Sequence, residues 1–221
     1  MSSEPGAVPV RRTVRRPSLD RQAVVGEALR LVRREGLDAV TMRRLADELA
    51  TSPMSLYRHV EDRQDLLVGM LDAVAAGIEL PPVAGDPRAE ITAVITAIHD
   101  ALRRDPWAVE LIVSGKLAGP SILPAIDRLF AALSATGLQP RDVSVGYALI
   151  WHYTAGELID SHHERDENFG RAMVRAADPA RFPALTSIVA QLPEGPPSDH
   201  FAENLQRLLD GLIGRTAPPG R

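Results

Sequence analysis

At 221 residues the chain is long enough for one large or two small domains with a substantial core, and its 45% apolar and 24% charged content excludes wholesale disorder. With no cysteine it can hold neither a disulfide nor a thiolate metal site, which fits a reducing compartment. The formal charge of −4 is unevenly spread: residues 1–60 carry a net +4 and residues 61–221 a net −8, a basic head on an acidic body suited to meeting phosphates at one end.

Residues 1–17, rich in Pro, Gly, Ser and Arg, read as a disordered basic arm. Arg11, Arg12, Arg15 and Arg16 suit a DNA backbone or minor groove, and a solvated tail is the alternative. The arm lacks the apolar run of a secretory signal. The longest nearly uncharged run, 143–159, contains His152 and Glu157 and falls short of a membrane span, so a soluble cytoplasmic protein with no membrane partner is expected.

A first helix is predicted over 20–35, with Val25, Ala28, Leu29 and Val32 on one stripe and Gly36 as a left-handed stop. Thr41 is a good N-cap for a second helix, whose Leu45, Ala46 and Leu49 recur at helical spacing. Ala50 and Thr51 interrupt it. Ser52 followed by Pro53 is a fresh start signal, a capping hydroxyl with proline at the first helical position, for a short helix over 53–59. Leu56 and Val60 can pack inward, leaving the other side chains outward. This is the pattern of a helix-turn-helix, with an ordinary helical hairpin as the alternative. Asp62 caps a fourth helix to about residue 78, with Asp65 three positions on and Leu66, Leu67, Met70, Leu71 and Val74 as its buried stripe.

Residues 19–72 closely resemble the DNA-binding domain of the TetR family of bacterial transcriptional regulators. The resemblance rests on Glu35-Gly36-Leu37, on Val40-Thr41-Met42-Arg43-Arg44-Leu45-Ala46, on Ser55-Leu56-Tyr57-Arg58-His59-Val60, and on Asp62-Arg63 with Asp65-Leu66-Leu67. Several anchors in order at family spacing are far more specific than one short motif. It implies that Pro53 to His59 enter a major groove and that Arg43 reaches a base edge from the preceding helix. It also implies that Ser52, Met54, Ser55 and Arg58 lie nearer the bases, while Thr41, Tyr57, His59 and Arg63 position the head on phosphates. One departure stands in the turn, where Ala50-Thr51 replaces the usual glycine and apolar residue. An alanine forced to positive φ costs about 1 kcal/mol.

Beyond a Pro-rich linker at 80–87 the chain is a run of helices, with no strand pattern and no internal repeat. Asp86-Pro87 and Asp105-Pro106 open two of them, Ile122 to Leu133 mark a third ending at Gly137, and Pro140 opens a long one to about residue 160. A polar stretch, 161–180, reads as a loop with one or two helical turns. A helix around Leu185 and Ile188 follows, and Phe201, Leu205, Leu209 and Leu212 stripe the last one. The long helix reads as apolar on nearly all sides, with Gly146 and Gly156 open to close approach, and such a helix needs a second partner. A second copy is the simplest supplier, in an isologous four-helix interface with the last helix, as the family resemblance also implies. Leu209 and Leu212 are the positions at which an arginine is expected to break that homodimer.

The expected organisation is therefore all-α. A basic arm spans 1–17, a three-helix DNA-binding domain with its connecting helix spans 18–79, and a ligand-binding and dimerisation domain spans 88–215. Trp151 to Asp160 resemble, more loosely, the C-terminal domain of the tetracycline-repressor branch. There the acid matching Asp160 belongs to a magnesium–tetracycline site, but Ala76 and Ser114 stand where its two histidines align, so that site is not carried over. Candidate lining residues for an effector pocket are His99, Trp107, Tyr147, Trp151 and His152, each with a satisfied core residue as the alternative. His162-His163-Glu164 with Asp166 resembles a metal cluster, but adjacent histidines diverge on a helix and a solvated loop fits better. With no phosphate loop, HExxH or nucleophile elbow, no catalytic residue, metal or cofactor is expected. The function read from the chain is a homodimeric repressor that leaves a palindromic double-stranded DNA operator on binding a largely apolar, metal-free small molecule. An all-helical small-molecule-binding protein or enzyme with a vestigial DNA-binding head is the competing reading.

Overall fold

The computed structural model describes residues 19–115, 117–162, 169–191 and 200–214, without the side chains of residues 161, 162 and 169–171. The predicted arm and the residues His163, Glu164 and Asp166 lie outside this set. The described residues form eleven α-helices and two short 3-10 turns, with no strand.

Helix α1 (Arg21–Glu35) begins where Asp20 accepts the amide of Ala23 and buries Val24, Val25, Ala28, Leu31 and Val32. Gly36 stops it at φ 84° as expected, but its ψ of 174° is extended rather than left-handed helical, a region only glycine enters freely. Helix α2 (Met42–Glu48) is capped by Thr41, whose hydroxyl accepts from Arg44 N. It ends in a Schellman motif: Thr51 N donates to Ala46 O at 2.9 Å and Ala50 N to Asp47 O at 3.1 Å. That motif needs a positive φ at its pivot, and Ala50, at φ 48°, is the one non-glycine residue with positive φ among those described. Helix α3 (Pro53–Leu56) is capped by Ser52 and is shorter than the predicted 53–59. Its last turn tightens, with His59 N bonding Leu56 O, the carbonyl Val60 N also uses, so Tyr57 to His59 are turn rather than helix. Leu56 and Val60 are buried, as their spacing requires.

Helix α4 (Arg63–Ala76), capped by Asp62, runs from the head into the body. The body comprises α5 (Pro87–Arg104), α6 (Pro106–Gly115), α7 (Leu123–Ala135), α8 (Pro140–His162), α9 (Phe169–Arg175), α10 (Pro183–Val189) and α11 (Phe201–Ile213). Amphipathic α5 lies at its centre, against α6, α7, α8 and α11. The loop predicted over 161–180 thus holds the end of α8 and the two turns of α9.

Helix α8 is two-sided rather than buried all round. Val143, Ile150, Thr154, Ala155 and Leu158 are buried within the chain, while Val145, Leu149, His152, Gly156 and Ile159 form an exposed stripe at helical spacing. The two glycines divide accordingly: a Cβ on Gly146 would touch Leu133, whereas one on Gly156 would meet nothing within 4 Å. In α11 the apolar stripe is already used, since Phe201, Leu205 and Leu209 are buried in their own chain. Leu209 is thus a core residue, not the free interface position expected from sequence, and Leu212 is half-buried.

Candidate DNA-reading head and ligand cavity

Of the ten residues proposed to meet DNA, Thr41, Arg43, Ser52, Pro53, Met54, Tyr57, Arg58 and Arg63 are exposed, and Ser55 and His59 are partly buried. Met54 is 73% and Tyr57 48% exposed, so both side chains are open to an outside partner. The arginines separate by their partners. Arg44 pairs with Glu35 at 3.2 Å and Glu48 at 2.9 Å, and Arg34 joins the same two acids, fastening α1 to α2. Arg43 and Arg58 have no ion-pair partner among the described residues, so their guanidinium groups are available to an outside anion. Arg63 makes one long bond, Nε to Val40 O at 3.4 Å. Ser52 and Ser55 are tied to each other at 3.0 Å as part of the α3 cap.

Arg21 holds the head together. It grips Asp65 with Nη1 to Oδ2 at 2.6 Å and Nη2 to Oδ1 at 2.7 Å, and Nη1 also donates to His59 O at 3.2 Å. One guanidinium thereby ties α1, the end of the α3 turn and the first turn of α4. The Arg21 bond, with the amide of Glu61, holds the Asp65 carboxyl down at about 2. Where α1 crosses α4, Gly69 keeps the helices close, since a Cβ there would lie 3.0 Å from Val25 Cγ2.

A second tie joins head to body. Arg33 of α1 grips Asp105, Nε to Oδ1 and Nη2 to Oδ2, both at 2.8 Å. Trp107 Nε1 donates to the same Oδ1 at 3.0 Å. Burial pushes the Asp105 carboxyl up, but Arg33 and Trp107 together hold it below its ordinary value.

The body contains an apolar cavity of about 180 Å³. Its walls are Leu71, Val74, Ala75 and Ile78 at the α4 end, Ile95, Ile98 and Leu102 of α5, Ile112, and the turn through Ala118, Gly119 and Ile122. Ile126 and Leu129 of α7 and Tyr147 and Trp151 of α8 complete it. Two of the five sequence candidates, Tyr147 and Trp151, therefore line it, and the other three do not. His99 is buried between α5 and α8, its Nε2 2.7 Å from Glu157 Oε2 and its ring stacked 3.8 Å from Phe201. Trp107 is committed to Asp105, and His152 sits on the exposed stripe of α8. Ala76, Ser114 and Asp160 are exposed and none lines the cavity. No group of three potential metal ligands occurs among the described residues.

The cavity floor is fastened to α4 from outside as well. Ser121 N donates to Asp72 Oδ1 at 2.7 Å, and a Cβ on Gly119 would fall 2.3 Å from Asp72 Cα. Only glycine permits this approach, because the obstruction is backbone. Sequence reasoning missed Arg21, Arg33, Asp72 and Gly119, and it read the α4 residues as core without placing them on a cavity. A glycine-proline pair at 119–120 was the one local signal, and it marks a turn without naming its neighbour.

Comparison with known proteins agrees with both halves. Residues 25–70 match the model of "Bacterial regulatory proteins, tetR family", and residues 81–215 match "Tetracyclin repressor-like, C-terminal domain". The HTH-type transcriptional repressor DrrR1 of Streptomyces coeruleorubidus is 33% identical, over 89% of this chain and 78% of its own. An HTH-type transcriptional regulator of Saccharopolyspora erythraea is 31% identical, over 94% of this chain and 92% of its own. Among solved structures, apo ActR of Streptomyces coelicolor superposes with a TM-score of 0.76 at 25% identity, covering 89% of this chain and 96% of that one. ActR has also been solved with (S)-DNPA bound, where the TM-score is again 0.76 at 24% identity over 88% of this chain and 97% of that one. A helix-turn-helix with unpaired arginines, carried on a helix that walls an apolar cavity, and family matches over head and body alike, make the chain a member of the TetR family of bacterial regulatory proteins.

Proposed function

We propose that the protein is a homodimeric repressor that binds a palindromic operator and releases it when a small apolar molecule fills the body cavity. The observation that carries this reading is that α4 serves both ends. Its first turn is held to α1 and the α3 turn by Arg21, and its last turns wall the cavity. A ligand that displaces Val74, Ala75 or Ile78 moves the start of α4, and Arg21 obliges the α3 turn to follow. The ligand changes DNA affinity only by its preference for the conformer that does not bind DNA.

In this reading Arg43 reads a base edge, worth about 1–3 kcal/mol of discrimination if bidentate to guanine. Ser52, Pro53, Met54, Ser55 and Arg58 face the groove. Thr41, Tyr57, His59 and Arg63 set the head on phosphates. The exposed stripe Val145, Leu149, His152, Gly156 and Ile159 is the dimer face, with Gly156 allowing close approach of the partner helix. Two heads on one dimer then match two half-sites. No single helix among the described residues is long and apolar enough to cross a membrane, which accords with an operator partner in the cytoplasm.

The test is selection of bound fragments from genomic DNA, followed by a salt titration on the selected site. A palindromic consensus with a steep fall of log affinity against log salt is expected. Absence of enrichment, or a flat salt dependence, refutes the reading.

A further inference from the structure

Thirteen of the fifteen residues around the cavity have no polar side-chain group to offer water, but the wall is not wholly apolar. Apart from Leu, Val, Ile, Ala and Gly it holds Tyr147 and Trp151, one helical turn apart on α8. Neither the Tyr147 hydroxyl nor the Trp151 indole N–H has a hydrogen-bond partner among the described residues. Residues four apart on a helix share a face with Cβ atoms about 5–6 Å apart, so one ligand can lie against both side chains. Burial raises the Tyr147 phenol above its ordinary value, so it remains a donor through the physiological range. No charged side chain lines the cavity, so an ionised ligand would lose its hydration there without a counter-charge. Size sets the third limit. A dry engineered cavity of about 150 Å³ takes benzene, so about 180 Å³ holds one or two fused rings without displacing helices.

We propose that this cavity selects an uncharged, one- or two-ring molecule bearing a carbonyl oxygen, which accepts from Tyr147 Oη and Trp151 Nε1 together. A carbonyl has two lone pairs and so satisfies both donors, whereas a hydrocarbon of the same shape leaves both unpaired. The inference rests on the reading of this cavity as the effector site, and adds the chemistry by which the effector is recognised.

The test compares three probes on the full-length protein by tryptophan fluorescence: 1-tetralone, tetralin of the same shape without the carbonyl, and the anion of a tetralin carboxylic acid. Tetralone is expected to bind about tenfold tighter than tetralin, the ratio one to two net hydrogen bonds supply, and the anion weakest of all. Tyr147→Phe should shrink the tetralone preference while leaving tetralin affinity unchanged, which a general loss of folding could not do. Ile126→Trp, or Ala118→Trp at the exposed lip if the first misfolds, should abolish binding of both neutral probes. Equal affinity for tetralone and tetralin, with both lost in the blocked variant, overturns the carbonyl inference and leaves the cavity reading standing. Unchanged binding in a folded blocked variant, or no binding of either neutral probe to the wild type, overturns both.

Discussion

Replacing Ala50 by glycine should stabilise the protein, against the usual direction of such a change. Ala50 is the pivot of the Schellman motif that ends α2, at φ 48°. There its Cβ crowds the backbone at a cost of about 1–2 kcal/mol, which glycine removes. Glycine gives back about 0.4–1 kcal/mol through the greater freedom of the unfolded chain, so the net gain is roughly 0.5–1 kcal/mol. For a chain of this size that is a rise in Tm of about 1–4 °C. Ala131→Gly serves as the control, being exposed in the interior of α7 with ordinary helical geometry, and should lose about 0.5–1 kcal/mol. Thermal and urea unfolding followed by circular dichroism measure both. The two substitutions should have opposite signs, and a Tm for Ala50→Gly equal to or below the wild type would refute the argument from backbone strain.

Four further outcomes follow from the same geometry. Leu149→Arg on the exposed stripe of α8 should yield a folded monomer by light scattering, whereas Leu209→Arg, at a position with 0% exposure, should destabilise the chain itself. Arg43→Ala should relax specificity at one position of each half-site, while Arg63→Ala should weaken all sequences alike and make the salt slope shallower, measured on a panel of operator variants. The Asp65 carboxyl, lowered to about 2 in the folded chain, lends stability that is complete above its unfolded value near 3.8 and is lost as pH falls from there towards 2; Asp65→Asn should remove that part of the acid transition in a pH titration of stability. Magnesium with tetracycline should not release the protein from its operator, and a chelator should not alter release by a neutral effector, because Ala76, Ser114 and Asp160 all lie off the cavity; release that requires the metal chelate would contradict this.

The head was legible because its signals are local. Caps at Thr41, Ser52 and Asp62, the stop at Gly36 and the inward Leu56 and Val60 are each fixed by neighbours in sequence, and each appears in the structure. The strained Ala50 was legible for the same reason. What could not be read was which residues meet across long separations. Arg33 finds Asp105 across 72 positions and Ser121 finds Asp72 across 49, and nothing in the composition of either segment names its partner. The cavity suffered likewise: polar aromatic residues were sensible candidates, yet most of its wall is Leu, Val, Ile and Ala, indistinguishable in sequence from core. For His99 and Trp107 the alternative of a core residue with its polar atom satisfied holds, since Glu157 and Asp105 are their partners.

The two ties between head and body give the switch its mechanical character. If α4 were the sole link, the head would hang on one helix, and a ligand pushing on that helix would add to a motion already broad. Arg33 and Asp105 add a second attachment from a different helix, anchored at the start of α6, whose Ile112 and following turn wall the same cavity. Two attachments fix an orientation where one leaves a swivel, so the head has a defined position for the ligand to change. Inside the body the 119–121 turn lies close against α4 and is held there by the Ser121–Asp72 hydrogen bond, whereas the Arg33 side chain is 55% exposed and can exchange Asp105 for water at modest cost. A ligand that shifts α6 relative to α4 is therefore expected to release Arg33 from Asp105 while the Ser121–Asp72 bond persists.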